Sequence, residues 1–229
     1  PSKIKSLDQM ATTKIPVYLM PGMAASSTIF KNIELAKDRF EIHLLEWFVP
    51  EYGITFEAYA AQMCLQIKHK RPVLIGVSLG GLLVQEMAKL IEVEKVIIIS
   101  SIKQKSELPK RLLFAKYTKI HKLLPTGLIN NVELLVKYAF GETIKSRLEL
   151  YEQFLAVRDK YYIDWCIDKI VHWNQSSYEP NLIHIHGEND VVFPIHYIKN
   201  CLIVPKGTHT MIIHRYKWFN ERLPTIILE

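Results

Sequence analysis

Three cysteines, Cys64, Cys166 and Cys201, are scattered through 229 residues, and their scarcity excludes two architectures at once. Cysteines so few and so far apart fit neither a disulfide framework nor a zinc pattern, so they read as buried apolar thiols. Long apolar runs are missing too. No stretch reaches the roughly 18 to 20 residues that a bilayer-spanning helix needs. The opening Pro1 to Lys14 is polar rather than signal-like, and the expectation is a soluble, cytoplasmic protein with no membrane span. Charge is only mildly unbalanced, with 29 basic against 23 acidic side chains and a net +6, which requires no nucleic acid partner. Repeats and low-complexity tracts are absent as well.

What is present suits one compact domain, with 49% hydrophobic and 23% charged residues and enough length for a full-sized core. Short β-branched or apolar runs at Ile15 to Met20, Ile42 to Trp47, Val73 to Ile75 and Lys95 to Ser100 alternate with helical patterns. One helical stripe joins Phe56, Tyr59, Ala60, Met63 and Ile67, with Lys68, His69, Lys70 and Arg71 expected in its last turn and Pro72 as the stop. The alternation predicts an α/β fold, a mostly parallel central sheet with flanking helices. From Lys103 to Ser177 the strand signal vanishes, and Pro109, Pro125 and Gly141 divide the segment into about four helices. Strand patterns return at Leu182 to His186 and Cys201 to Val204, and a helical pattern around Ile212 to Leu223 closes the chain. The expected organisation is therefore a core of residues 1–102 and 178–229 carrying an inserted helical lid, 103–177, over the carboxyl ends of the strands. Seven basic residues and one acid, Glu107, lie between Lys103 and Lys122. They form either a solvated helix face or, with Lys103, Lys105, Lys110 and Arg111, a rim that attracts anionic substrates.

The most informative local signal is Gly76-Val77-Ser78-Leu79-Gly80, between the apolar run ending at Ile75 and a helical stripe of Leu82, Leu83, Met87, Leu90 and Ile91. It reads as strand, sharp turn and helix with a serine at the apex, the glycines avoiding collisions in a tight turn. A helix beginning there aims N–H groups and a positive dipole end at an oxygen that gains negative charge in acyl transfer. Serine needs a base, and the base needs an orienting acid. Asp190, in His186-Gly187-Glu188-Asn189-Asp190 just past one late strand, is the candidate acid, with Glu188 as its rival. His209, in Gly207-Thr208-His209 past the last strand, is the candidate base. His184 and His186 read as packed or structural residues, and His214 as part of the last helix.

With the elbow at Ser78, an HGxxD pattern at His186 to Asp190 and a G-x-H pattern at Gly207 to His209, the chain resembles α/β-hydrolase-fold enzymes from about Ile15 to Leu223. That resemblance implies a catalytic triad of Ser78, Asp190 and His209, an oxyanion hole from the N–H groups of Leu79 and Met23, and no metal or organic cofactor. It implies a small-molecule acyl substrate, an ester or thioester, handled by a monomer or homodimer. Candidate substrate contacts are Gly22, Phe114, Tyr117, Phe154 and Trp165, beside further lid aromatics Phe140 and Tyr151. Two departures stand out. Pro21-Gly22 occupies the place of the commoner His-Gly, as in some thioesterase-like members, and 14 residues before the first strand suggest a shortened N-terminal hairpin. Two other functions stay open on the same residues: a triad-dependent lyase or C–C hydrolase for a small acidic metabolite, and a non-catalytic binding protein.

Overall fold

Six strands line up as one parallel sheet in the computed structural model, which describes residues 13–110, 112 and 159–229. They are β1 (Ile15–Met20), β2 (Phe40–Leu44), β3 (Val73–Val77), β4 (Lys95–Ile99), β5 (Ile183–Gly187) and β6 (Leu202–Val204). Their order is β2-β1-β3-β4-β5-β6, and every neighbouring pair is parallel. All carboxyl ends therefore open on one edge. The order reverses between β1 and β3, where Met20 is in register with Gly76. Such a switch point is where an open parallel sheet leaves a crevice for a ligand.

Alternate residues of β1, β3 and β4 feed two cores. Tyr18, Met20, Leu74, Val96 and Ile98 face α1 (Phe56–Cys64), α2 (Leu79–Ala88) and α3 (Lys160–His172). Val17, Leu19, Ile75, Ile97 and Ile185 face the other way, toward α4 (Met211–His214) and α5 (Tyr216–Leu228). Burial on both faces explains why the central strands read as continuous apolar runs rather than as alternating ones. Each fully buried Leu, Ile, Val or Met contributes about 1.5 to 3 kcal/mol. Thr55 caps α1 by accepting from Ala58 N at 3.1 Å, and Asp159 caps α3 by accepting from Tyr162 N at 2.8 Å.

Several boundaries differ from expectation. Helix α1 stops at Cys64, not at Arg71, because Leu65, Gln66 and Ile67 bond only three residues back. The chain then turns through Lys68, whose N–H donates to the Tyr18 hydroxyl, and Arg71 takes φ 46° before Pro72. Helix α2 ends at Ala88, short of Ile91. His214 closes the short α4 and is not within the long terminal helix. Of the lid aromatics, Phe114, Tyr117, Phe140, Tyr151 and Phe154 lie outside the described residues, as does Arg111. The two ends of the 103–177 segment meet: Lys105 N donates to Gln175 O at 2.8 Å, and Gln175 Nε2 donates to Lys103 O and Gln85 Oε1. No helix among the described residues is long and apolar enough to cross a membrane.

Candidate active site

Ser78 stands between β3 and α2 with φ 54° and ψ −120°, a backbone state that non-glycine residues rarely occupy and that neighbouring structure must enforce. Close backbone packing does the enforcing. A Cβ on Gly76 would overlap the Gly80 backbone, one on Gly80 would overlap the carbonyls of Met20 and Pro21, and one on Gly81 would overlap the Ser101 side chain. Strand β4 adds two bonds from its end: Ser78 N donates to Ile99 O at 2.9 Å, and Ser101 Oγ donates to Ser78 O at 2.7 Å.

Asp190 and His209 arrive from the loops after β5 and β6. His209 Nδ1 lies 2.9 Å from Asp190 Oδ2, and His209 Nε2 lies 3.0 Å from Ser78 Oγ. A carboxylate only accepts, so the hydrogen of the neutral ring sits on Nδ1 and Nε2 presents a lone pair to the serine hydroxyl. The loops interlock through glycine again, since a Cβ on Gly187 would overlap Gly207. Asp190 Oδ1 is spent on the N–H groups of Val192 at 2.8 Å and Phe193 at 2.9 Å, which leaves Oδ2 for His209. Burial pushes the Asp190 carboxyl up, but His209, His186 and the Phe193 N–H outweigh it and hold the group below its ordinary value. Glu188 points elsewhere, accepting from Lys206 N at 2.9 Å.

The loop after β1 lies against Ser78. A Cβ on Gly22 would come within 3.3 Å of Ser78 Cβ, which places Met23 one residue from that contact and Leu79 on its other side, at the first turn of α2. Two side chains fasten this loop. Trp47 Nε1 donates to Pro21 O at 3.0 Å and Gly22 O at 2.8 Å, and the Tyr162 hydroxyl accepts from Ala24 N at 3.0 Å. Ala24 itself has φ 62°. Both fasteners come from distant sequence and no local motif announces them.

Solved structures superpose on nearly the whole chain. A thermophilic esterase from Thermogutta terrifontis is 15% identical, with 93% of this chain and 91% of that one covered and a TM-score of 0.66. A hydrolase from Pseudomonas aeruginosa PA01 is 13% identical, with 95% and 91% covered and a TM-score of 0.70. The enol-lactonase from Burkholderia xenovorans LB400 is 14% identical, with 94% and 92% covered and a TM-score of 0.66. This chain has the α/β-hydrolase fold. No protein-family model and no curated protein matches its sequence.

Within this α/β-hydrolase fold, other expected positions fare unevenly. Trp165 is 6% exposed, packs against Phe56 and Tyr59, and donates to Ile54 O at 3.0 Å, so its ring anchors α3 to the core. Lys103 is no part of a solvent-facing rim: it is 1% exposed and paired with Glu107 at 3.1 Å. Lys105 and Lys110 are exposed, and Lys105 bonds Asn174. His43 and His69, which stand in no motif, come together with Glu41 beside the outer strand β2, their donor atoms within 4.8 Å of one another. Tyr18 stacks on His43 and bonds His69 Nδ1 at 2.8 Å.

Proposed function

We propose that the chain is a serine hydrolase that cleaves a carboxylic ester or thioester through an acyl-Ser78 intermediate. The observation that carries this reading is the hydrogen-bonded line from Asp190 through His209 to Ser78, at an elbow whose strained backbone holds the serine at the mouth of the crevice. His209 Nε2 takes the hydroxyl proton as Oγ attacks the acyl carbonyl, and Asp190 stabilises the imidazolium that forms. The N–H groups of Leu79 and Met23 receive the oxyanion. His209 then gives its proton to the departing alcohol or thiol. Water, deprotonated by the same nitrogen, releases the acid and restores Ser78.

Fold neighbours that are themselves an esterase and an enol-lactonase, the lactone being a cyclic ester, support the acyl class of substrate. A binding protein has no chemical need for the tautomer that Asp190 imposes on His209. Labelling with a fluorophosphonate tests the reading directly: the folded protein is expected to carry one adduct, on Ser78, and its absence sinks the proposal. A panel of p-nitrophenyl esters and acyl-CoA compounds then separates ester from thioester, with Ser78→Ala as the control.

A further inference from the structure

The line of bonded groups through Ser78, His209 and Asp190 does not end at the carboxylate. His186 Nε2 lies 3.6 Å from Asp190 Oδ2, His186 Nδ1 lies 3.0 Å from His184 Nε2, and His184 Nδ1 lies 3.5 Å from the Lys103 ammonium. Lys103 in turn pairs with Glu107 at 3.1 Å and donates to the carbonyls of Lys199 and Asn200. All four side chains are buried, and the acyl-transfer steps use none of them. Groups this polar are costly in an interior unless each is matched.

Proton positions follow from the two ends of this array. The Phe193 carbonyl, 2.8 Å from His186 Nε2, can only accept, so Nε2 carries hydrogen. A neutral imidazole has one N–H, which leaves His186 Nδ1 as an acceptor and requires His184 Nε2 to donate to it. His184 Nδ1 is then a lone pair, and the ammonium facing it has only donors. Charging His186 would set a second N–H against His184 Nε2. His184 could accommodate that only by shifting its own hydrogen to Nδ1, against Lys103. The ammonium therefore opposes the rearrangement.

We propose that Lys103 and His184 form a positioning array that holds His186 as the neutral Nε2–H tautomer, so that His186 closes the Asp190 loop through Phe193 without becoming a second cation for the Asp190 carboxylate. This inference rests on the hydrolase reading and adds the reason the acid serves a single histidine. A charged His186 would share Oδ2 with His209 at the moment His209 takes the serine proton. Around His186, the charges of Asp190 and Glu107 and the Phe193 carbonyl favour its protonated form and His209 opposes it, while His186 and Lys103 oppose charge on His184 and the Ser101 backbone favours it. Burial is the largest influence on both rings and pushes both down, and the Cys201 thiol beside Lys103 and Glu107 is pushed up, also chiefly by burial.

His184→Leu removes the donor that occupies His186 Nδ1. With a p-nitrophenyl ester, kcat is expected to fall about tenfold near pH 6, with KM unchanged, and to stay near wild type at about pH 8. His184→Gln, whose amide still donates, keeps the wild-type profile. Adding His186→Gln to His184→Leu recovers the rate near pH 6, because that amide donates to Phe193 O but never takes a charge. Equal losses at both pH values, or a double variant no better than the single one, overturn the proposal. Nitrogen-15 spectra of labelled histidines in the wild-type protein read the array without any turnover. They are expected to show His184 and His186 neutral with hydrogen on Nε2 at about pH 6, where an ordinary histidine is mostly charged, and a charged or Nδ1–H His186 overturns the proposal even if the variants do not fold. Failure of Ser78 to react with a fluorophosphonate sinks the hydrolase reading instead, and leaves the spectra to decide the array.

Discussion

Ser78 and the Asp190–His209 pair both rest on close glycine contacts, but they differ in what does the rest of the holding. Around Ser78 backbone lies directly on backbone, and the contact exists because Gly76 and Gly80 lack a Cβ. Around Asp190 and His209 one such contact recurs, Gly187 on Gly207, and polar side chains do the rest: His186 on Phe193 O, His184 on His186, and the Lys103–Glu107 pair behind them. The first device fits in five consecutive residues. The second draws on the chain after β4, on β5 and on the loops that follow β5 and β6, so no single stretch spells it. The contrast predicts that one half breaks through added atoms and the other through lost polarity.

The largest effect is expected from Ser78→Ala, with kcat for a p-nitrophenyl ester falling about a million-fold while the circular dichroism spectrum stays unchanged. Residual turnover of the wild-type order would remove Ser78 from the chemistry. Next comes Asp190→Asn, which keeps the turn but no longer imposes the His209 tautomer, for a loss of about ten-thousand-fold in kcat. Gly80→Ala attacks the opposite half. The new methyl overlaps the Met20 and Pro21 carbonyls, and denaturant unfolding is expected to show a loss of about 3 kcal/mol. If Gly80→Ala keeps full stability, the elbow does not depend on close backbone approach.

That division also sorts what the sequence makes legible. Strand, elbow and helix at positions 73 to 88 are readable because periodicity and glycine spacing are local properties. Asp190 and His209 are readable because chain order and position after a strand place them, and their hydrogen bonds follow. Lys103 is a different matter. Seen in a run of seven basic residues it reads as solvated, whereas Glu107, four residues on, and two carbonyls from the loop before β6 take it inside. Trp165 reads as a ligand contact because aromatics suit pockets, yet Phe56 and Tyr59 of α1 cover it. The meeting of His43 with His69 is set by β1 and the turns after α1, which periodicity does not reveal.

Tyr162 offers a smaller probe, because it belongs to α3 yet serves the loop after β1. Tyr162→Phe leaves Ala24 N without its buried partner, at a cost of about 1 to 3 kcal/mol in stability. The same loss frees the loop that carries Met23, so kcat is expected to fall about tenfold with KM little changed. An unchanged kcat would show that Trp47 alone fixes the loop.

The smallest expected effect separates the halves by pH. His184 and His186 have values lowered in the folded chain, so below the ordinary histidine value the unfolded chain binds more protons than the folded one. The stability they contribute is therefore complete above about pH 6.5 and lost as pH falls toward their folded values. His184 and His186 act in the same direction. Asp190 is also lowered, but from a carboxyl reference, so its contribution persists until pH falls below about 4. The elbow contains no titrating side chain and adds no slope in either window. Thermal unfolding of the wild-type protein should thus weaken from about pH 6.5 downward, and His184→Gln should flatten the decline while Gly80→Ala lowers the whole curve in parallel. A wild-type melting temperature that stays level to about pH 5.5 would mean that the buried histidines take up protons without cost, and that the Asp190–His209 half is not held by their neutrality.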